Sequence, residues 1–78
     1  MKPVIFTILA RWDADAEVWC GECDEVPVAV NAPTLDGLLE KAAAQTRDLL
    51  PDNHPGLDPA SVHLQLIALQ EASVSRAA

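Results

Sequence analysis

Residues 34–50, which read TLDGLLEKAAAQTRDLL, constrain the fold of this chain more than any other stretch. Their apolar side chains recur every three or four residues, the spacing that places side chains on one face of a helix. Thr34 is a good N-cap, and Asp36 puts a negative charge in the first turn, where the helix dipole favours it. Pro51 should end the helix, because the residue before a proline avoids helical geometry. The rest of the chain then has to bury the apolar stripe of this helix.

The remaining apolar segments show the two-residue alternation and the β-forming residues that are typical of strands. We predict strands over residues 4–12, 18–23, 28–31 and 62–70. The acidic segments DADAE and DEVP between the first three strands are typical of turns, and the proline-rich segment 51–60 is typical of a loop. Pro27 and Pro33 confine the third strand to an edge of the sheet, because proline cannot donate to a strand ladder.

The predicted order of elements is β-β-β-α-β, which is an α+β fold. Two hairpins make the first three strands an antiparallel meander, and the helix returns the chain to a fourth strand parallel to the first. The prediction is a four-stranded mixed sheet of order 3-2-1-4 with one helix on one face. Residues 1–71 form a single domain in this prediction, and residues 72–78 form a flexible tail.

Side-chain alternation predicts which face of each strand is buried. Trp19, Gly21 and Cys23 should face the helix, because Glu22 on the other face of the same strand needs water. Trp12 and Trp19 should then meet on the buried face near the first hairpin.

A single helix covers only one face of such a sheet, so the other face should be open. We expect it to carry Ile5, Leu9, Ile67 and Leu69, diluted by Thr7, Arg11, His63 and Gln65. A large exposed apolar patch usually marks an interface, and oligomerisation is a common remedy for the small core of a short chain. We therefore expect a homodimer or a partner protein at this face. The alternative is that the tail or the long loop folds back over it.

The chain is acidic, with twelve Asp and Glu against five Lys and Arg and a formal net charge of -7. This balance argues against direct binding to nucleic acid or to an anionic membrane, since both need a basic surface. Five acids beside the two turns are expected to form an acidic rim: Asp13, Asp15, Glu17, Asp24 and Glu25. The rim either serves solubility alone or docks a basic protein. A divalent cation at the alternating Asp13 and Asp15 is a third interpretation, although the EF-hand pattern is absent.

The longest apolar run, residues 4–10, is far shorter than the roughly 20 residues that span a membrane. No small-residue cleavage site follows it, as a signal peptide would require. The two cysteines are compatible with a reducing compartment. We therefore expect a cytoplasmic protein.

Cys20 and Cys23 form a C-x-x-C pair, but no second pair of metal ligands accompanies it. On a strand, side chains three residues apart point to opposite faces, so the two sulfurs should diverge. A buried, inert Cys23 is favoured over a zinc site completed by His54 or His63, and both histidines are expected to be polar surface residues. No combination of nucleophile and base stands out, so we expect neither an enzyme nor a cofactor.

The spacing of several motifs is similar to that of a known family. The motifs are Trp12-Asp13, Trp19, Gly21, the turn Asp24-Glu25-Val26-Pro27, Thr34-Leu35, Leu38-Leu39 and Ala42. This pattern resembles the HicB-like antitoxin domain family, most of all its short stand-alone members of unknown function. The motifs match over residues 4–50, and the rest of the chain matches only in the order of its predicted elements. Three positions depart from the family pattern: Val28 replaces a glycine after the turn, and Gly37-Leu38 replaces a polar–small pair in the helix.

The resemblance implies a degenerate ribonuclease-H-like fold and a non-catalytic module that neutralises a small basic RNA-cleaving toxin, often as an oligomer. The DNA-binding module of full-length antitoxins is not expected, because the chain ends soon after the fourth strand. Ribonuclease activity is not expected either, since it needs carboxylates converging on metal ions and the first strand has none before Asp13. The alternative is a small-ligand or metal-binding protein that uses the acidic loop or Cys20 and His63.

Overall fold

The computed structural model describes residues 3–70, which contain four strands and one long helix. The elements are β1 (Val4–Asp13), β2 (Val18–Cys23), β3 (Val28–Ala32), α1 (Leu35–Asn53) and β4 (Val62–Leu69). A single 3-10 turn, Pro59–Ser61, leads into β4. All five predicted elements are therefore confirmed in type and order. The tail predicted for residues 72–78 lies outside the described residues.

The four strands form one mixed sheet of order β3-β2-β1-β4, as the sequence predicts. β1 is central: it pairs antiparallel with β2 and parallel with β4. The parallel register runs without a break from Val4 opposite Val62 to Arg11 opposite Leu69. β2 pairs antiparallel with β3, which lies at the sheet edge to which its flanking prolines confine it.

Helix α1 packs on one face of the sheet and buries the inward side chains of the first three strands. The buried apolar residues are Phe6, Ile8, Ala10, Trp19, Cys23, Val26, Val28, Ala32, Leu38, Ala42 and Leu50. Trp12 and Trp19 are opposite each other in the β1–β2 register, and their rings make an edge-to-face contact with centroids 5.4 Å apart. The predicted tryptophan pair and the inward face of β2 are thus confirmed.

The start of α1 is confirmed and its predicted end is wrong. Thr34 Oγ1 accepts a hydrogen bond from Gly37 N at 3.0 Å, but the helix continues through Pro51. Burial of Leu50 and the hydrogen bond from His54 N to the Leu50 carbonyl, 2.8 Å long, hold this last turn. Tertiary packing here overrides the local preference against helix before proline. α1 is too polar to cross a membrane, and no other helix within residues 3–70 is long and apolar enough.

Candidate protein-interaction face

The face of the sheet opposite α1 is not covered by any element within residues 3–70. The four apolar residues predicted for this face all lie on it and are exposed: Ile5 by 56%, Leu9 by 38%, Ile67 by 42% and Leu69 by 64%. They are exposed because alternation turns every second side chain of β1 and β4 away from the helix. We call this surface the open face.

The register of the strands divides these residues into two parts. Leu9 is directly opposite Ile67, and Leu69 is the next residue of β4 on the same face. We call Leu9, Ile67 and Leu69 the apolar cluster. Ile5 is separated from it by a polar pair, in which Thr7 Oγ1 donates to Gln65 Oε1 at 3.4 Å. The predicted patch is therefore one cluster of three residues with an isolated isoleucine.

A shallow depression of about 420 Å³ lies beside the apolar cluster on β1, β2 and β3. Its lining includes Leu9, the opposite charges of Arg11 and Glu22, the exposed thiol of Cys20 and the side chain of Asn31. The depression is open to solvent, whereas sites for small ligands are concave and bury most of the ligand. Its mixture of apolar, polar and charged groups is the composition found around the core of a protein–protein interface.

The five acids predicted as a rim do not come together. Asp13, Asp15 and Glu17 lie at the β1–β2 turn, and we call them the hairpin acids. Asp24 and Glu25, the turn acids, follow β2 at its other end. A strand of six residues separates the two groups by about 20 Å. Sequence proximity misled the prediction, because an intervening strand carries neighbouring turns to opposite ends of the sheet.

The turn acids are close to the open face. Asp24 and Glu25 line a small cleft of about 190 Å³ together with Glu22, Thr7 and Leu9. Leu9 thus belongs both to this cleft and to the apolar cluster. Negative charge therefore borders the apolar cluster on the side of the turn acids.

Asp13 has a structural use in the first hairpin. Its Oδ1 atom accepts hydrogen bonds from Asp15 N at 3.0 Å and from Ala16 N at 3.2 Å, which holds the turn. Within residues 3–70, no group of three or more His, Cys, Asp or Glu side chains is arranged to hold a metal ion. The structure therefore gives no support to the interpretation of Asp13 and Asp15 as a cation site.

The two cysteine side chains lie on opposite faces of β2, as predicted. Cys20 is exposed on the open face, and Cys23 is buried beneath α1. Cys23 Sγ donates a hydrogen bond to Glu25 Oε1 at 3.1 Å. Burial raises the pKa of the Cys23 thiol, and the hydrogen bond from the thiol lowers the pKa of Glu25. This arrangement keeps Cys23 protonated and holds the β2–β3 turn.

His54 is not the surface residue that the sequence predicts. It is half-buried: its ring lies 5.4 Å from that of Phe6, and its Nε2 is 2.7 Å from the Glu25 carbonyl oxygen. His54 therefore fastens the end of α1 to the β2–β3 turn. Sequence reasoning missed this role because a proline-rich loop has no periodicity that reveals which side chain turns inward.

His63 is exposed, as predicted, but it is not near Cys20. Cys20 is opposite Arg11 and His63 is opposite Ile5, six residues away along β1, which is about 20 Å. The metal site proposed for Cys20 and His63 is therefore wrong. The His63 ring instead contacts the 3-10 turn that precedes β4, with Nδ1 3.3 Å from the Ser61 carbonyl oxygen.

Comparison with known proteins assigns the chain to a family. Residues 5–76 match the domain of unknown function DUF1902, and the chain belongs to this family. It is similar to the crystal structure of the hypothetical protein TTHA1013 from the extremely thermophilic bacterium Thermus thermophilus. The two are 37% identical, the TM-score is 0.74, and the match covers 90% of this chain and 99% of that one. No curated protein matches the chain.

Proposed function

We propose that this member of the DUF1902 family is a non-catalytic protein-binding module that uses its open face. The observation that supports the proposal is the apolar cluster, because three large apolar side chains meet on a surface that no element within residues 3–70 covers. Adjacent exposed apolar side chains surrounded by polar groups are the usual centre of a protein interface. Arg11, Glu22 and Gln65 provide the polar surroundings here.

The partner that suits this surface is a small basic protein. The net charge of -7 and the turn acids beside Leu9 favour a positively charged partner, since complementary charge increases the association rate and selects the partner. The resemblance to HicB-like antitoxins gives this partner a class, a small basic RNA-cleaving toxin that the module would neutralise. The observed β-β-β-α-β order agrees with the degenerate ribonuclease-H-like fold that the resemblance implies.

The polar groups around the apolar cluster suit recognition better than catalysis. Arg11, Cys20 and Glu22 line a depression that is open to water, whereas catalytic groups act most strongly where water is excluded. Cys20, the exposed thiol, has no hydrogen-bonded base among the contacts described within residues 3–70. The proposal therefore assigns no chemical step to this chain.

The test is a pull-down from native cells at low salt with the tagged chain, followed by titration with the purified captured protein. We expect one small basic protein that salt releases, and we expect the double variant Leu9→Gln, Ile67→Gln to lose it. Leu39→Gln is the matched control, because Leu39 is equally exposed (37%) but lies on α1. Capture of no basic protein by the unmodified chain, or equal capture by the double variant, would refute the proposal.

A further inference from the structure

The two edges of the sheet differ in how their backbone is protected. β3 is short, with five residues, and α1 side chains cover its outer edge. Gln45 Oε1 accepts a hydrogen bond from Ala29 N at 2.9 Å, and Lys41 Nζ donates one to the Asn31 carbonyl at 2.8 Å. Side chains that occupy the free backbone groups of an edge strand prevent it from pairing with another chain.

The other edge, β4, has no such protection within residues 3–70. It has eight residues, contains neither proline nor lysine, and pairs with β1 without a bulge. No hydrogen bond from a described side chain reaches the backbone of residues 63–69, and β1 is the only strand described beside β4. Half of the N–H and C=O groups of an edge strand point away from its neighbour. On the outer side of β4 these backbone groups have no partner within residues 3–70.

The two rows of β4 side chains are both incompletely covered: the helix-side row is apolar, and the open-side row ends in two apolar residues after His63 and Gln65. On the helix side, Val62, Leu64 and Leu66 are only half-buried and Ala68 is exposed, because α1 packs mainly over β2 and β3. On the open side, Ile67 and Leu69 are exposed. A strand added beside β4 would cover both rows as cross-strand neighbours.

The distribution of charge identifies the occupant of this edge. Residues 59–70 contain no Asp, Glu, Lys or Arg, although the whole chain has a net charge of -7. A basic partner gains no ion pair from an uncharged edge, whereas a second copy of the same edge buries no charge at all. Two identical strands that pair antiparallel are related by a two-fold axis. Each copy then offers its partner the same N–H donors and C=O acceptors that it receives.

We propose that two copies of this chain associate by antiparallel pairing of β4 with β4, which joins the two four-stranded sheets into one continuous sheet. The two open faces become one surface in this dimer, with Ile67 and Leu69 of both copies beside the seam. The dimer does not depend on the basic partner proposed above, because it uses the edge of the sheet rather than its face.

Sedimentation velocity of the full chain over a range of concentrations tests the dimer. We expect a species of twice the 8.3 kDa chain mass. Gln65→Lys places two positive charges at the centre of the seam and should weaken the dimer roughly tenfold or more. Asn31→Lys makes the same charge change on the opposite edge strand and should leave the dissociation constant within about twofold.

Amide hydrogen exchange by NMR identifies the surface that pairs. In the dimer every amide of residues 63–69 should be protected, and on dilution alternate amides should lose protection as the outer edge becomes free. Leu9→Gln should leave the dimer intact, because Leu9 lies on the central strand away from the seam. A monomer at every concentration, a dimer weakened by Leu9→Gln as strongly as by Gln65→Lys, or protection that dilution does not change would each overturn the proposal.

Discussion

Gly21 and Leu38 approach so closely that a Cβ atom on Gly21 would lie 3.1 Å from Leu38 Cδ2. The same atom would lie 3.1 Å from Ile8 Cγ2. Both neighbours are completely buried, so neither has free space into which it can move. The glycine on the inward face of β2 therefore sets the distance between α1 and the sheet.

We expect Gly21→Ala to lower the free energy of unfolding by about 1–3 kcal/mol, the usual cost of overpacking a core. Urea unfolding measures this change. Cys20→Ala is the control: Cys20 is the adjacent residue and faces the open side, so its substitution should change stability by less than about 0.5 kcal/mol. An unchanged midpoint for Gly21→Ala would mean that α1 can lift from the sheet without cost.

The spacing of apolar and polar side chains was enough to predict the fold. It gave no guidance in the loops, where side chains follow no regular spacing. The inward direction of Trp19, Gly21 and Cys23 follows from a two-residue period and the need of Glu22 for water. The exposure of the four open-face residues follows from the same period combined with the presence of one long helix. No comparable rule predicted that His54 packs on Phe6, because the direction of a loop side chain depends on tertiary contacts.

Two errors in the prediction have physical causes. Pro51 removes one hydrogen bond from α1, but the burial of Leu50 retains the last turn. The helix preference of the residues around Pro51 does not reveal this packing, because it comes from tertiary contacts. The hairpin acids and the turn acids are close in sequence but lie at opposite ends of β2. The protection of the β3 edge by Lys41 and Gln45 also required the structure, because it depends on how α1 lies across the sheet.

Removing the protection of the β3 edge should cause association. The double variant Lys41→Met, Gln45→Met removes both of these hydrogen bonds from α1. It leaves Ala29 N and the Asn31 carbonyl at the outer edge of β3 without their side-chain partners. Unprotected edge strands pair with other chains, so we expect species larger than those of the unmodified chain in light scattering, increasing with concentration.

The matched control for this experiment is Glu40→Met, which also replaces a charged residue of α1 by methionine. Glu40 is exposed, and no hydrogen bond to β3 involves it among the contacts of residues 3–70. Glu40→Met should scatter light like the unmodified chain. If it associates as much as the double variant, added hydrophobicity rather than the free edge is responsible.

The two cysteines should differ in reactivity towards a thiol reagent. Cys20 is exposed, whereas Cys23 is buried and its pKa is raised by burial, which reduces the thiolate that reacts. We expect one rapidly modified thiol in the folded protein and two in urea, measured by the release of thionitrobenzoate. Cys20→Ser should abolish the rapid phase. Two rapid thiols in the folded chain would contradict the burial of Cys23.

The stability of the protein should depend on the protonation of Cys23. Its pKa is raised in the folded state, so the folded protein keeps the proton after the unfolded chain has lost it. The stabilisation is complete below the ordinary thiol pKa of about 8.5 and declines as the pH rises above it. Urea midpoints across this range should fall less for Cys23→Ala than for Cys20→Ala. Parallel curves for the two variants would exclude Cys23 as the cause.

Thr46 offers a substitution that should stabilise the protein. The residue is only 3% exposed, and its buried hydroxyl has no hydrogen-bond partner within residues 3–70. Valine has nearly the same shape and a similar helix propensity, so Thr46→Val removes an unsatisfied polar group and should raise the free energy of unfolding by about 1 kcal/mol.

Thr34→Val makes the same chemical change at the N-cap of α1, where it removes a hydrogen bond, and should lower stability by about 1 kcal/mol. Urea unfolding of both variants should therefore give changes of opposite sign. A loss of stability in Thr46→Val would mean that the hydroxyl has a partner in solution, reached through the groove between α1 and β4 that Thr46 lines with Leu64.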